Sequence, residues 1–204
     1  MKHPRTHVAA ELGVVLLLVL AVVLAACSGG DDSSSSPSAD GAGQPADGGT
    51  DAPAPIETHS SLGKVRGQLP KGKRSKVRQQ VAHAVDEWFD AAYVGGDYPR
   101  NDFSTSWPGF TTGAKADASD DKELMSNQDI GAEVSSVKAT ARRVYVDVLA
   151  VRGKAEGATA RFVLKFKTDG DVQRKVEVSG RLFLTPSAEG WRIFGYDVTK
   201  GRFA

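Results

Sequence analysis

The apolar positions of this 204-residue chain fall into three regimes. From Leu12 to Ala26 the chain is an unbroken run of 15 apolar or glycine residues. From Ser28 to about Ser60 large apolar side chains nearly vanish, and Ile56 is the only large aliphatic one. Beyond that point the pattern becomes periodic. Between residues 72 and 94, Val77, Val81, Ala84, Val85, Trp88 and Ala92 recur at spacings of three and four, which predicts one apolar face of a long helix. Gln79, Gln80, His83, Asp86, Glu87 and Asp90 fall on its other face, and Gly95-Gly96 predicts a left-handed stop. Residues 97–111 predict an irregular connection rich in aromatics, and Thr112 to about Ser126 a second helix capped by Thr112.

Past Gln128 the period changes to two. Val144, Val146 and Val148 alternate with Tyr145, Asp147 and Leu149; Phe162, Leu164 and Phe166 repeat the pattern, as do Val176, Val178, Leu182 and Leu184 around Gly180. Such alternation predicts half-buried strands, with Gly180 a bulge or bend. Trp191, Ile193 and Val198 mark a last strand, and a weaker pattern covers Ile130 to Ala139. Connections at Gly153–Gly157, Asp169-Gly170-Asp171 and Ser187–Gly190 suit an antiparallel meander. The expectation is an α+β domain: a long N-terminal helix plus a shorter helix packed on a bent antiparallel sheet of four to five strands.

Charge sharpens these divisions. Residues 27–60 carry six acidic groups and no Lys or Arg, whereas residues 61–204 carry a net +6. The middle segment cannot bury enough apolar surface to offset its ordering entropy, so it is expected to be a disordered spacer. Its rms reach is about 30 Å as a flexible coil, and more with charge repulsion. Lys2, His3, Arg5 and His7 precede the apolar run, which is short of the about 20 residues that span a bilayer; this is the pattern of a signal peptide. The run ends in Leu24-Ala25-Ala26-Cys27, and Cys27 is the chain's single cysteine, with no partner for an internal disulfide.

Leu24-Ala25-Ala26-Cys27 resembles the lipobox of bacterial lipoproteins. That resemblance implies cleavage between Ala26 and Cys27 and lipid attachment at the Cys27 thiol. The implied partner is the membrane, and the implied place is its extracytoplasmic face. The divisions are then a signal peptide at 1–26, an acidic tether at 27–60 and a folded domain at 61–204. The alternative is an uncleaved N-terminal anchor. Both put residues 28–204 outside the cytoplasmic membrane, which leaves nucleic acid out as a partner.

Within the domain, Trp88-Phe89-Asp90-Ala91-Ala92 before Gly95-Gly96-Asp97, and the late run Trp191-Arg192-Ile193-Phe194-Gly195-Tyr196-Asp197, resemble the nuclear transport factor 2-like superfamily, a cystatin-like roll. The resemblance implies a long helix in a strongly bent sheet with a cone-shaped cavity between them. It implies no single activity, because isomerases, dehydratases, scaffolds and envelope subunits share that fold. Sheet surfaces in that superfamily also form homodimers.

Candidate chemistry is sparse. His59 and His83 are the only histidines beyond the signal and Cys27 is assigned to lipid, so no metal-ligand cluster or other cofactor site is expected. There is no phosphate loop, nucleophile elbow or dinucleotide fingerprint. An isomerase-like acid–base pair would draw on Asp90, Tyr93, Tyr98, Tyr145, Asp147 and Tyr196. Trp88, Phe103, Trp107, Phe110 and Trp191 suit either core packing or the lining of a ligand pocket. Lys71, Lys73, Arg74, Lys76 and Arg78, in a stretch without acids that begins at Lys64, suit either a solvated helix start or contact with an anionic surface. The expected function is a membrane-anchored, non-enzymatic domain binding an envelope protein or an apolar small molecule. The alternative is a small-molecule isomerase or dehydratase using a Tyr/Asp pocket.

Overall fold

The structure is a computed structural model that describes residues 56–203. The signal segment, the Ala26–Cys27 junction and the tether up to residue 55 lie outside the described residues. The described elements are β1 (His59–Arg66), α1 (Lys71–Phe89), a π-helical turn (Asp90–Val94), α2 (Thr112–Asp120), α3 (Lys122–Met125), β2 (Val134–Val151), β3 (Lys154–Gly170), β4 (Lys175–Ser187) and β5 (Gly190–Arg202). The fold is α+β, with one mixed five-stranded sheet in the order β1-β2-β3-β4-β5.

Four strands form the expected meander: β2–β3, β3–β4 and β4–β5 all pair antiparallel. The fifth departs from expectation. β1 takes in His59 and Ser60, which composition assigned to the tether, and pairs parallel with β2, from His59 opposite Arg143 to Arg66 opposite Leu149. The sheet is therefore mixed rather than antiparallel. The weak pattern at 130–139 and the Val144–Val148 alternation belong to one 18-residue strand, β2, and Ile130 lies in the turn before it. Register breaks within β2–β3 and β4–β5 bend the strands locally.

The helical part also differs from the pattern reading. The α-helix stops at Phe89, and a π-helical turn carries the chain on to Val94 before Gly96 reverses it at φ +82°. The second helix is two pieces separated at Asp121, and its cap is Thr111, whose Oγ1 accepts from the Ala114 amide, rather than Thr112. No helix among the described residues is long and apolar enough to cross a membrane.

One face of the sheet is covered. Val77, Val81, Val85 and Trp88 of α1 pack with Val144, Val146, Phe162, Leu164, Val178, Leu182 and Ile193 in a single core cluster. All the members of that cluster lie between Leu69 and Ile193, so residues 56–203 contain their own core and all five strands. Arg142 is a charged residue on the inner face. It is 8% exposed and holds α1 to β2 through Asp86 and through Asp90 Oδ1 at 2.8 Å. Its Nε also donates to Thr58 Oγ1 at 2.9 Å, which fastens the start of the described chain to the same point. The two carboxylates raise the Arg142 pKa against the effect of burial.

Candidate binding face

Among the described residues no helix packs on the outer face of the sheet, and its side chains are those that alternate with the buried ones. On β2 these are Arg143, Tyr145, Asp147, Leu149 and Val151. Register sets Tyr145 opposite Arg161, Arg161 opposite Arg181, and Arg181 opposite Asp197, a polar row across four strands. Two arginines directly opposite each other on adjacent strands repel. Each has a carboxylate beside it: Arg161 Nε lies 3.1 Å from Asp147 Oδ2, and Arg181 Nη2 lies 2.5 Å from Asp197 Oδ2.

Next to this row is an apolar strip. Phe183 and Phe194 pack with ring centroids 6.3 Å apart, and Phe194 is 54% and Leu149 52% exposed. Arg161 and Arg181 of the row, with Phe183, Phe194 and Leu149, line an open groove of about 630 Å³, bordered at the β1 side by Lys64 and Arg66. Its chemistry is that of a recognition surface: aromatic area for an apolar group and guanidinium donors for an anion.

Asp147 has a structural task at this face. Its Oδ1 accepts from the Lys64 amide at 2.7 Å, at the register break of β1, while Oδ2 meets Arg161. A Cβ on Gly63 would stand 2.1 Å from Asp147 Oδ1, so a side chain there would displace this carboxylate. With both oxygens engaged, Asp147 fixes the β1 bulge and the orientation of Arg161.

The residues proposed for a Tyr/Asp pocket are not brought together. Tyr93 is fully buried on the inner side, beside Trp88 and Phe166, and donates to the Leu124 carbonyl at 2.6 Å. Asp147 is on the outer side. Asp90 pairs with Arg142, Tyr98 donates to the Tyr93 carbonyl, and Tyr196 donates to Asp121 Oδ2 at 2.8 Å. Tyr145 stands on the outer face with the Arg161 guanidinium 5.6 Å over its ring.

The aromatics that suited either core packing or pocket lining can be placed as well. Trp88, Phe103, Trp107, Phe110 and Trp191 are all buried, and Trp88 meets Tyr93 and Phe162 edge-on at 5.4 and 5.3 Å. Four of the five belong to the main core. Phe103 instead lies under the Arg100 guanidinium, 4.2 Å from the ring, and against Gly131. Trp88, Trp107, Phe110 and Trp191 pack in the core that α1 shares with the sheet.

The basic run divides. Arg78 is committed to β1, donating to the Ser60 carbonyl at 2.8 Å and its hydroxyl at 2.7 Å, and Arg74 donates to the Leu69 carbonyl at 3.0 Å. Lys71, Lys73 and Lys76 are exposed. His83 is exposed on α1 near Glu87, and among the described residues no group of three or more His, Cys, Asp or Glu is placed to hold a metal. The outer-face row was missed in the sequence because it depends on register: Arg161 and Arg181 are 20 positions apart and become neighbours only through β3–β4 pairing.

The inner tyrosines set a pH limit on stability. Burial, then the charge of Asp129, pushes Tyr93 well above the ordinary phenol value; burial raises Tyr98, and burial with the Asp121 hydrogen bond raises Tyr196. The unfolded chain loses these protons near the ordinary value of about 10, while the folded protein keeps them. Their contribution is therefore intact below about pH 10 and is lost as pH rises above it. The urea midpoint is expected to fall steeply above that pH, and Tyr93→Phe to flatten the fall. An equal fall in the variant would remove Tyr93 as its source.

No family model, curated protein or solved structure matches this chain.

Proposed function

We propose that this chain is a lipid-anchored, exported protein whose folded domain is a non-enzymatic interaction module. The lipobox-like Leu24-Ala25-Ala26-Cys27 after a short apolar run supports the anchor, with Cys27 as its attachment point. A long helix on one face of a sheet supports a nuclear transport factor 2-like roll, here with an added parallel edge strand. The observation that carries the interaction reading is the pair Arg161 and Arg181, set side by side on an open face next to exposed Phe194 and Leu149.

The partner that suits this surface is an envelope protein segment presenting an apolar side chain beside a carboxylate. The carboxylate would accept from the guanidinium N–H groups of Arg161 and Arg181 that Asp147 and Asp197 do not engage, and the apolar group would cover Phe183 and Phe194. The Tyr/Asp enzyme reading has no comparable support, since Tyr93 and Asp147 lie on opposite sides of the sheet.

A photo-crosslinking residue in place of Phe194, in the full chain expressed in cells, is expected to give a discrete adduct. Adding Arg181→Glu is expected to abolish it. The same residue at Lys115, exposed on α2, is expected to give none. An adduct of twice the chain mass would identify the partner as a second copy. Equal labelling from both positions, or none at position 194, would refute the reading.

A further inference from the structure

A second surface lies at the end of the sheet formed by the β2–β3 turn. The turn is Arg152-Gly153, with Val151 paired to Lys154 across it. Both turn residues have positive φ, +50° for Arg152 and +77° for Gly153, the two-residue geometry that favours Asn-Gly. Arginine gains nothing there from conformation, because a left-handed residue with a Cβ costs about 1–2 kcal/mol. Its charge and reach are what it adds to the tip.

The fold gathers further cations to the same end. β1 runs parallel to β2 and finishes with Arg66 opposite Leu149, with Lys64 two positions earlier. The chain then passes so close to β2 that a Cβ on Gly67 would stand 2.0 Å from the Ala150 carbonyl oxygen. The start of α1 is drawn to the tip as well, with Lys73 Nζ 3.5 Å from the Gly153 carbonyl oxygen. Lys64, Arg66, Lys71, Lys73, Arg152 and Lys154 thus come from three separate segments. The acids on these segments are Glu156 and Asp147, and Asp147 is engaged with Arg161.

The same end of the sheet carries two apolar side chains that the core does not take. Leu149 is 52% and Val151 48% exposed, both on the outer side of β2. Cations gathered at one end of the sheet with projecting aliphatic groups complement one kind of surface, a bilayer whose headgroups are anionic and whose interior is apolar.

We infer that this end of the domain docks on an anionic phospholipid membrane, with Leu149 and Val151 entering the headgroup layer and the six cations meeting phosphates. Lys64, Arg66 and Leu149 also border the groove, but Val151, Arg152, Lys154, Lys71 and Lys73 do not. The docking therefore stands independently of what the groove binds. Within the basic run it selects Lys71 and Lys73, and leaves Arg74 and Arg78 to their internal bonds.

The test uses residues 28–204, which keep the whole core and all five strands but lack the attachment cysteine, so that a lipid anchor cannot mimic docking. The protein is expected to sediment with vesicles of phosphatidylcholine and phosphatidylglycerol at low salt, and not with phosphatidylcholine alone. Each cation near such a surface is worth about fivefold in affinity, so Arg152→Gln with Lys154→Gln is expected to weaken binding about 25-fold. Lys138→Gln with Lys167→Gln removes the same charge at the far end of the β2–β3 pair and is expected to change binding less than about threefold, the remainder being long-range attraction. Val151→Ser is expected to weaken vesicle binding about tenfold at unchanged charge. Equal losses from the two double variants, or no preference for anionic vesicles, would overturn the inference. So would binding to soluble polyphosphate as tight as to vesicles with no effect of Val151→Ser, which would identify a wall-polymer site instead. All these side chains are exposed, and an unchanged thermal midpoint confirms that the variants are folded.

Discussion

Trp88→Ala is expected to lower the unfolding free energy by about 4 kcal/mol, within the range for deleting a fully buried aromatic. Trp88 has no exposed surface and sits where α1 meets the sheet. Its ring contacts Phe89, Tyr93, Phe110 and Phe162 at centroid distances of 5.3 to 6.2 Å. The indole Nε1 donates to the Met125 carbonyl at 3.3 Å, so the residue also joins α1 to the end of α3. Alanine leaves a void among four rings and strands that carbonyl, which adds about 1 kcal/mol. Trp88→Phe keeps most of the packing and is expected to lose about 2 kcal/mol. Urea unfolding of the three proteins, with unchanged slope, checks the ordering. A loss under about 1 kcal/mol for the alanine variant would mean that the helix does not rely on this contact.

Gly180→Ala is expected to cost about 3 kcal/mol although it adds one methyl group. Gly180 pairs with Phe162 on one side and Val198 on the other, at φ +149°, a conformation that L side chains rarely adopt. A Cβ there would stand 2.1 Å from the Asp197 carbonyl oxygen and 2.9 Å from the Val198 Cα. Either β5 moves away or the backbone of β4 flattens. The backbone strain and the forced contact each cost about 1–3 kcal/mol. Because Asp197 is the carboxylate beside Arg181, the change is also expected to disturb the outer-face row. Ser179→Ala, one residue away, is expected to stay within about 0.5 kcal/mol. Equal stability of the two variants would show that β4 tolerates a side chain at this bend.

Where a side-chain period persisted for several residues, the element could be read from the sequence. The three- and four-residue spacing of Val77 to Trp88 and the alternation of Val144 to Val148 each name a face that must be buried. β1 escaped because it offers only Leu62 and Val65 as aliphatic signals, three apart across a bulge, and because a parallel edge strand has no hairpin turn to announce it. The π-helical turn after Phe89 shifts the phase by one residue, so Tyr93, five after Trp88, is buried beside it, a spacing that a three- and four-residue template does not pick out. The aromatics admitted two readings in sequence because a ring lining a cavity and a ring filling it have the same composition; only packing distances separate them. The outer groove depends on which outward positions become neighbours, and alternation within one strand does not specify that.

The parallel pairing of β1 has a consequence for the order in which the chain is made. A ribosome delivers His59 84 residues before its partner Arg143, whereas Val151 and Lys154 emerge almost together. The meander from β2 to β5 can zip from its turns as it emerges, but β1 must wait, unpaired, while the helices and most of β2 are synthesised. Closing so long a loop carries an entropy that local hairpins avoid. β1 thus waits longer for its partner than any strand of the meander does. Once it is paired, the Arg142 contact with Thr58 and the Arg78 bonds to Ser60 hold its start to the rest of the domain.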